Sequence, residues 1–320
     1  MLFISLVLIF EGSQTEINLP NKKHLILVVG PTAVGKTEVC IKLAKKFNTE
    51  IISCDSRQFY RELELGTAKP NAEELAEVRH HLINSLSIEE NYDVKKFEKD
   101  ALEIMASLFE EKDVVLMTGG SGLFADAITE GFDEMPDISS EIREMVIFEY
   151  RQKGLSWLQQ EVEKEDPEYF QIVDQQNPQR LMRALEVIRG TGKKFSSFRV
   201  KKKAERPFNI IKIGLTRDRE ELYERIDQRM DQMIQLGLFA EAESFFEKRH
   251  LNALQTVGYT EIFGFLEGKY GREEAIRLLK RNSRRYAKRQ LTWFRRDPEI
   301  QWFHPQQIEE IQHWVESQIG

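Results

Sequence analysis

Gly30-Pro31-Thr32-Ala33-Val34-Gly35-Lys36-Thr37 decides the fold of this 320-residue chain. It matches G-x-x-x-x-G-K-[ST], the pattern of a phosphate-binding loop. The apolar run Leu25-Ile26-Leu27-Val28-Val29 before it reads as a buried strand, and Val39, Leu43, Ala44 and Phe47 after it share one helical face. Strand, glycine loop and helix in that order gather backbone N–H groups and a helix N-terminus around one point, where phosphate oxygens bind. Gly30, Thr32, Ala33, Val34 and Gly35 then form a phosphate cradle, Lys36 adds a full charge, and the Thr37 hydroxyl can hold Mg²⁺. The loop alone leaves the reaction open, since this fold hosts many.

Working outward, Glu50-Ile51-Ile52-Ser53-Cys54 reads as a short strand ending at Asp55-Ser56-Arg57-Gln58. Helices are expected over 72–79 and 97–109, and Asp113-Val114-Val115-Leu116-Met117 is the next strand, followed by Thr118-Gly119-Gly120-Ser121-Gly122. Nearly all-apolar strands joined by helices imply an α/β fold, a parallel sheet with helices on both faces. Its ligands sit beyond the carboxyl ends of the strands, where the phosphate loop, the Asp55 turn and the Gly119-Gly120-Ser121 turn all fall. From about 133 to 203 the strand signal disappears, and Pro136, Pro167 and Pro178 punctuate a helical stretch. Asn209–Leu215 reads as a strand rejoining the sheet, with helices over 218–236, 238–249, 252–267 and 272–296, then a short strand and a final helix. The expected organisation is a core of 24–132 and 204–320, a helical insertion over 133–203, and a disordered extension over 1–23.

Composition is that of an ordinary globular protein, 41% hydrophobic and 31% charged. Cys40 and Cys54 make no disulfide framework or metal spacing, and read as small core residues in a reducing cytoplasm. The apolar stretch 1–10 is too short for a bilayer and lacks a charged n-region, so no membrane partner is expected. Net charge is −7, yet the basic residues are segregated. Arg180 to Arg206 holds ten of them against Glu186 and Glu205, and Arg277 to Arg296 holds nine with no acid. Local field rather than net charge steers a polyanion, so a phosphate-backbone partner and a solvated helix face both remain in view.

Asp55 has three readings: a water-mediated Mg²⁺ ligand, a base toward a substrate held over the loop, or the N-cap of a following helix. No carboxylate ends the strand Val114–Met117, where a nucleotide-hydrolysing P-loop enzyme carries its Walker-B acid. Gly119-Gly120 lets backbone approach a ligand, and Ser121 offers a hydroxyl there. Arg225 and Arg229 lie four apart on one helix face and can reach a ligand held on the loop, or else form surface ion pairs with Glu221 or Glu224.

At this point the chain resembles the tRNA dimethylallyltransferases, also called tRNA isopentenyltransferases, of bacterial type. The resemblance is carried by Gly30–Thr37, Asp55-Ser56-Arg57-Gln58-Phe59-Tyr60, Gly66-Thr67-Ala68-Lys69-Pro70, His80-His81-Leu82, Gly119–Leu123, Asn177-Pro178-Gln179-Arg180-Leu181, Val257-Gly258-Tyr259 and Lys288–Arg295. It implies transfer of a dimethylallyl group from dimethylallyl diphosphate to N6 of adenosine 37 in the tRNA anticodon stem-loop. It also implies Mg²⁺ as cofactor and a monomer. By resemblance Asp55 is the general base, the loop residues Gly30, Thr32, Ala33, Val34, Gly35, Lys36 and Thr37 hold the diphosphate, Thr37 also binds Mg²⁺, and Ser121 contacts substrate; from their shared helix face Arg225 joins the catalytic set and Arg229 the diphosphate site. The same resemblance makes tRNA contacts of Asp55, Ser56, Arg57, Gln58, Ser121, Arg143, Gln179, Arg180, Leu181, Met182, Arg183, Gln255, Val257, Gly258, Tyr259, Lys288, Arg289, Gln290 and Arg295. Phe124 stands where Tyr is common. Two other readings of the loop are a small-molecule phosphotransferase and an RNA-binding module that only senses nucleotide.

Overall fold

The structure, a computed structural model, describes residues 23–200 and 203–320. The extension expected over 1–23 therefore lies outside the described residues, apart from Lys23, as do Lys201 and Lys202 of the first basic run. The chain runs β1 (His24–Val29), α1 (Lys36–Lys46), β2 (Ile51–Ser53), α2 (Ala72–Glu77), β3 (His80–His81), α3 (Val94–Glu111), β4 (Val114–Gly119) and α4 (Gly122–Thr129). It continues through α5 (Ser140–Glu165), α6 (Pro167–Ile172), α7 (Pro178–Thr191), β5 (Asn209–Leu215), α8 (Arg219–Gln235), α9 (Leu238–Ser244), α10 (Thr260–Leu266), α11 (Arg272–Phe294), β6 (Gln301–Phe303) and α12 (Ile308–Ile319).

Six strands pair in the order β3-β2-β4-β1-β5-β6, and every pairing is parallel. β1 is buried along its length because it lies between β4 and β5 and is covered on both faces. Val39, Cys40, Leu43 and Ala44 of α1 and Ile311 and Val315 of α12 pack into the same cluster as the strand residues Ile26, Leu116 and Ile213. Burial pushes both thiols up, Cys40 to about 12, so they behave as inert core residues.

Contacts divide the chain into two compact units. Of the described residues, one holds those up to Asn91 with Asp100–Ala125 and Arg206–Gly320; the other holds Tyr92–Lys99 and those between Asp126 and Glu205. The named elements of the second unit are helices, running from Asp126 and including the start of α3 within 92–99. Its core is formed by Val146, Leu158 and Val162 of α5 with Leu181, Leu185 and Ile188 of α7. Asn177 caps α7 by accepting from the Arg180 N–H at 3.3 Å, with Pro178 at the first helical position. Asp166 is fully buried, and its carboxylate accepts from the Tyr169 N–H (3.1 Å), the Ser196 N–H (2.7 Å) and the Ser196 hydroxyl (2.9 Å).

Two local readings need correction, and two features had no forerunner in the sequence. His80–His81 forms β3, a two-residue strand paired with β2, which no apolar run announces. The helix expected over 252–267 is two pieces, because Gly258 adopts φ 108° between a 3-10 turn and α10. The helix expected over 238–249 ends at Ser244 and passes into a 3-10 turn. α5 is broken at Gly154, where φ is 78°. Among the described residues no helix is long and apolar enough to cross a membrane.

Candidate active site

Strand register brings three turns to one edge of the sheet. Val29, the last residue of β1, lies opposite Gly119 of β4 and Gly214 of β5, and Ser53 of β2 lies opposite Thr118. The phosphate loop, the Asp55 turn and the Gly119-Gly120-Ser121 turn therefore leave the sheet side by side. They line a cleft of about 500 Å³ with Lys36, Thr37, Arg225, Arg229 and Tyr286 on its walls.

The loop is shaped by its glycines. A Cβ on Gly30 would stand 2.7 Å from the Leu215 carbonyl oxygen, and Gly35 has φ 107°, a conformation costly for any other residue. Gly35 caps α1 without a side-chain hydrogen bond, so the first N–H groups of the helix stay available at the cleft. The loop's carbonyls are held from outside. Arg217 Nε donates to the Val34 carbonyl at 2.8 Å, and Arg225 Nε donates to the Ala33 carbonyl at 3.0 Å. Arg229 donates to the Ala68 carbonyl at 3.0 Å. Arg225 and Arg229 thus share the cleft as the i,i+4 spacing implied, while Glu221 pairs with Arg217 instead.

Lys36 Nζ donates to the carbonyls of Gly30 (3.0 Å) and Pro31 (2.9 Å). Burial draws its pKa down to about 8, opposed by the nearby Asp55 carboxylate and reinforced by Arg229. Burial likewise lowers the Arg229 guanidinium, again opposed by Asp55. Lys36, Arg229 and Asp55 are therefore close enough to feel one another's charge.

Asp55 does not cap a helix. Its Oδ1 accepts from the Arg57 N–H at 3.0 Å within a tight turn, and its Oδ2 lies 3.6 Å from where a Gly120 Cβ would be. Ser121 Oγ accepts from the Ser56 N–H at 3.0 Å and donates to Ser56 Oγ at 3.1 Å, tying the two turns together. Burial and the Asp55 charge push the Tyr286 phenol up, opposed by Arg57 and by a hydrogen bond with Ser121. No group of three or more His, Cys, Asp or Glu among the described residues could hold a metal. The donors facing the cleft, the Thr37 hydroxyl and the Asp55 carboxylate, fit an ion that arrives mainly on substrate phosphates, as Mg²⁺ does.

The positions read as tRNA contacts are placed unevenly. Lys288 and Arg289 are exposed on α11 and Arg295 just past its end, Arg143 and Arg183 lie on the helical unit, and Gln179 and Arg180 open α7. Val257 and Gly258 line the cleft, and Gln255 donates to the Arg249 carbonyl at 2.5 Å. Arg57 and Gln58 spend their side chains on main-chain carbonyls, of Asn252 (2.7 Å) and of Ala68 (3.3 Å). At four of these positions the side chain points inward. Leu181 and Met182 belong to the core of the helical unit. Tyr259 is 0% exposed and donates to Glu241 Oε1 at 2.5 Å. Gln290 is 5% exposed and bonds the active-site loops rather than a surface ligand.

Several contributing residues were missed. Glu241 accepts from the N–H groups of Leu65 (2.8 Å) and Gly66 (3.0 Å), so with Tyr259 it fixes the cleft wall at Gly66-Thr67-Ala68. Arg217 and Tyr286 also went unnoticed. The sequence held one usable signal: Ser283, Tyr286 and Gln290 are polar groups on or beside the apolar stripe of α11.

The family model described as IPP transferase matches residues 58–297. A tRNA dimethylallyltransferase of Cytophaga hutchinsonii is 52% identical over 93% of this chain and 98% of its own length. Another from Bacteroides thetaiotaomicron is 48% identical over 92% and 96%. Among solved structures, the tRNA isopentenylpyrophosphate transferase of Bacillus halodurans superposes with TM-score 0.70 at 37% identity, covering 93% of this chain and 97% of that one. A eukaryotic dimethylallyltransferase acting on tRNA gives TM-score 0.70 at 25% identity, covering 85% and 69%. With the cradle, the carboxylate beside it and these likenesses over nearly the whole chain, the protein belongs to the IPP transferase family of tRNA dimethylallyltransferases.

Proposed function

We propose that the chain transfers a dimethylallyl group from dimethylallyl diphosphate to N6 of adenosine 37 of tRNA, beside the anticodon, releasing diphosphate. The observation that carries this reading is the meeting of Lys36, Arg229 and Asp55 in one cleft, a diphosphate cradle facing a carboxylate. The chemistry needs that pair. An exocyclic adenine amine is a weak nucleophile because its lone pair is delocalised into the ring. Asp55 accepts the N6 proton as the N–C bond forms, which directs attack and removes the charge that would build on nitrogen. The allylic C–O bond breaks and its electron pair leaves with the diphosphate. Lys36, the loop N–H groups and the N-terminus of α1 stabilise that developing charge. Thr37 and the diphosphate oxygens would hold Mg²⁺, which supplies further charge neutralisation when bound.

A stacked anticodon-loop base is out of reach of any side chain, so the adenine must be extruded into the cleft. Lys288, Arg289 and Arg295 are suited to the phosphate backbone while it is held there. The enzyme works as a monomer in the cytoplasm, where its two buried thiols stay reduced.

The test is direct. Purified protein, Mg²⁺, dimethylallyl diphosphate and unmodified tRNA should give the mass of one dimethylallyl group on a single anticodon-loop adenosine. ATP turnover with a small acceptor and no such mass gain would instead indicate a phosphotransferase. RNA binding without turnover would indicate a binding module.

A further inference from the structure

The inner face of α11 carries a buried amide. Gln290 Oε1 accepts from the Thr32 N–H of the phosphate loop at 2.9 Å, and Gln290 Nε2 donates to the Gly120 carbonyl at 2.8 Å. One side chain thus bridges the loop after β1 and the turn after β4. The two ends have opposite requirements, an acceptor for Thr32 and a donor for Gly120, and only an amide of this length meets both without charge. Glutamate lacks the donor, methionine lacks both groups, and asparagine is one methylene short. The opposite wall is fitted to it: a Cβ on Gly120 would stand 2.2 Å from Gln290 Nε2.

The bridge joins the two halves of the reaction described above. The phosphate loop is where the donor diphosphate sits, and the Gly119-Gly120-Ser121 turn lies against Asp55, where the acceptor sits. We propose that Gln290 is a positioning residue whose amide sets the spacing between the donor loop and the acceptor turn, and so the distance across which the prenyl carbon meets N6. This inference rests on the prenyl-transfer reading. It follows from the steepness of displacement reactions with geometry, since a misplacement of about 1 Å costs on the order of 10²-fold in rate. The same helix presents Lys288 and Arg289 outward, one and two residues before Gln290. Seating RNA on the outer face and holding the loops on the inner face are thereby properties of one rigid element.

The experiment compares Gln290→Met and Gln290→Asn with wild type in the full chain. A spacing role predicts a kcat lower by on the order of 10²-fold. The dissociation constants for tRNA and for inorganic pyrophosphate, measured separately, stay unchanged. Gly120→Ala, which displaces the amide from its other partner, should lower kcat alike, and the double variant Gly120→Ala/Gln290→Met should be no worse than either single variant. Wild-type kcat in Gln290→Met overturns the proposal. So does a loss accounted for by weaker binding of both ligands, which is what a merely structural residue gives. If Gln290→Met fails to fold, Gln290→Glu keeps the Thr32 bond and carries the same test. Amide exchange at Thr32 separates this proposal from the reading beneath it. Faster exchange in Gln290→Met supports the bridge even where wild type proves unable to prenylate tRNA, and unchanged exchange refutes the bridge even where wild type is active.

Discussion

The helices α7 and α11 are both amphipathic and both basic, yet their buried faces end in different places. α7 buries Leu181, Met182, Leu185 and Ile188 among other apolar side chains of the helical unit. Its one buried acid, Glu186, faces Arg183 at 3.3 Å and Arg143 at 3.8 Å, holding two guanidinium groups near each other. α11 buries Ala275, Leu279, Ser283, Ala287, Gln290 and Phe294, and the polar members of that stripe reach the cleft. Its basic residues are not uniform either. Arg277, Lys280 and Arg284 pair with Glu274, Asp231 and Asp227, whereas Lys288, Arg289 and Arg295 have no carboxylate partner among the described residues. A run of positive charge therefore says little about a helix's task; polar groups on its buried stripe say more. The buried stripe of α7 ends in an apolar core, and that of α11 ends at the cleft.

The comparison breaks first at Asp55. Asp55→Ala should reduce kcat by on the order of 10²–10⁴-fold, the range of a lost general base, while filter binding finds tRNA affinity unchanged. A variant that turns over normally would remove the base from the scheme.

Next comes Lys36. Because its free-enzyme pKa is about 8, kcat/KM for dimethylallyl diphosphate should fall as pH rises through that value, and Lys36→Arg should abolish the fall. The same shift has a stability consequence of opposite sense. The folded value lies below the ordinary lysine value of 10.5, so the unfolded chain binds more protons between about 8 and 10.5, and Lys36's contribution to stability rises with pH across that window. Denaturant titrations of wild type and Lys36→Met over this range would show it as a difference in slope.

On the gripping side effects should be smaller and confined to binding. Arg143→Ala and Arg183→Ala should each lower the slope of log K against log salt by about 1, with kcat at saturating tRNA unchanged. A kcat effect would blur the contrast between the two helices. Smallest for catalysis is Asp166→Asn, which exchanges an acceptor-only carboxylate for an amide among three donors. It should destabilise the helical unit by about 1–3 kcal/mol in denaturant titration and leave kcat intact in the folded protein.

The parts of the molecule legible from sequence are those written locally. The phosphate loop announces itself through eight consecutive residues, and β5 and β6 through short apolar runs, so the returning strand and the final helix were expected where they occur. β3 was invisible because two histidines have no strand pattern; β2 makes them a strand by pairing. The site was legible in its charged members and not in its supports. Gln290 and Thr32 are 258 residues apart, and Glu241 and Gly66 are 175 apart. Only folding reveals that these residues meet. Tyr259 and Met182 sit in motif-like segments, but packing turned them inward.

The last strand and helix carry a consequence for synthesis. β6 completes the edge of the sheet beside β5, α12 fills the cluster around α1, and the Pro305 ring lies 3.6 Å from where a Gly35 Cβ would be. A ribosome therefore delivers the loop well before its final supports. Since domains fold as units while they emerge, the nascent polypeptide cannot close this centre until its closing residues leave the exit tunnel. A chain stalled or clipped before β6 should be a target for quality control rather than a weakened enzyme.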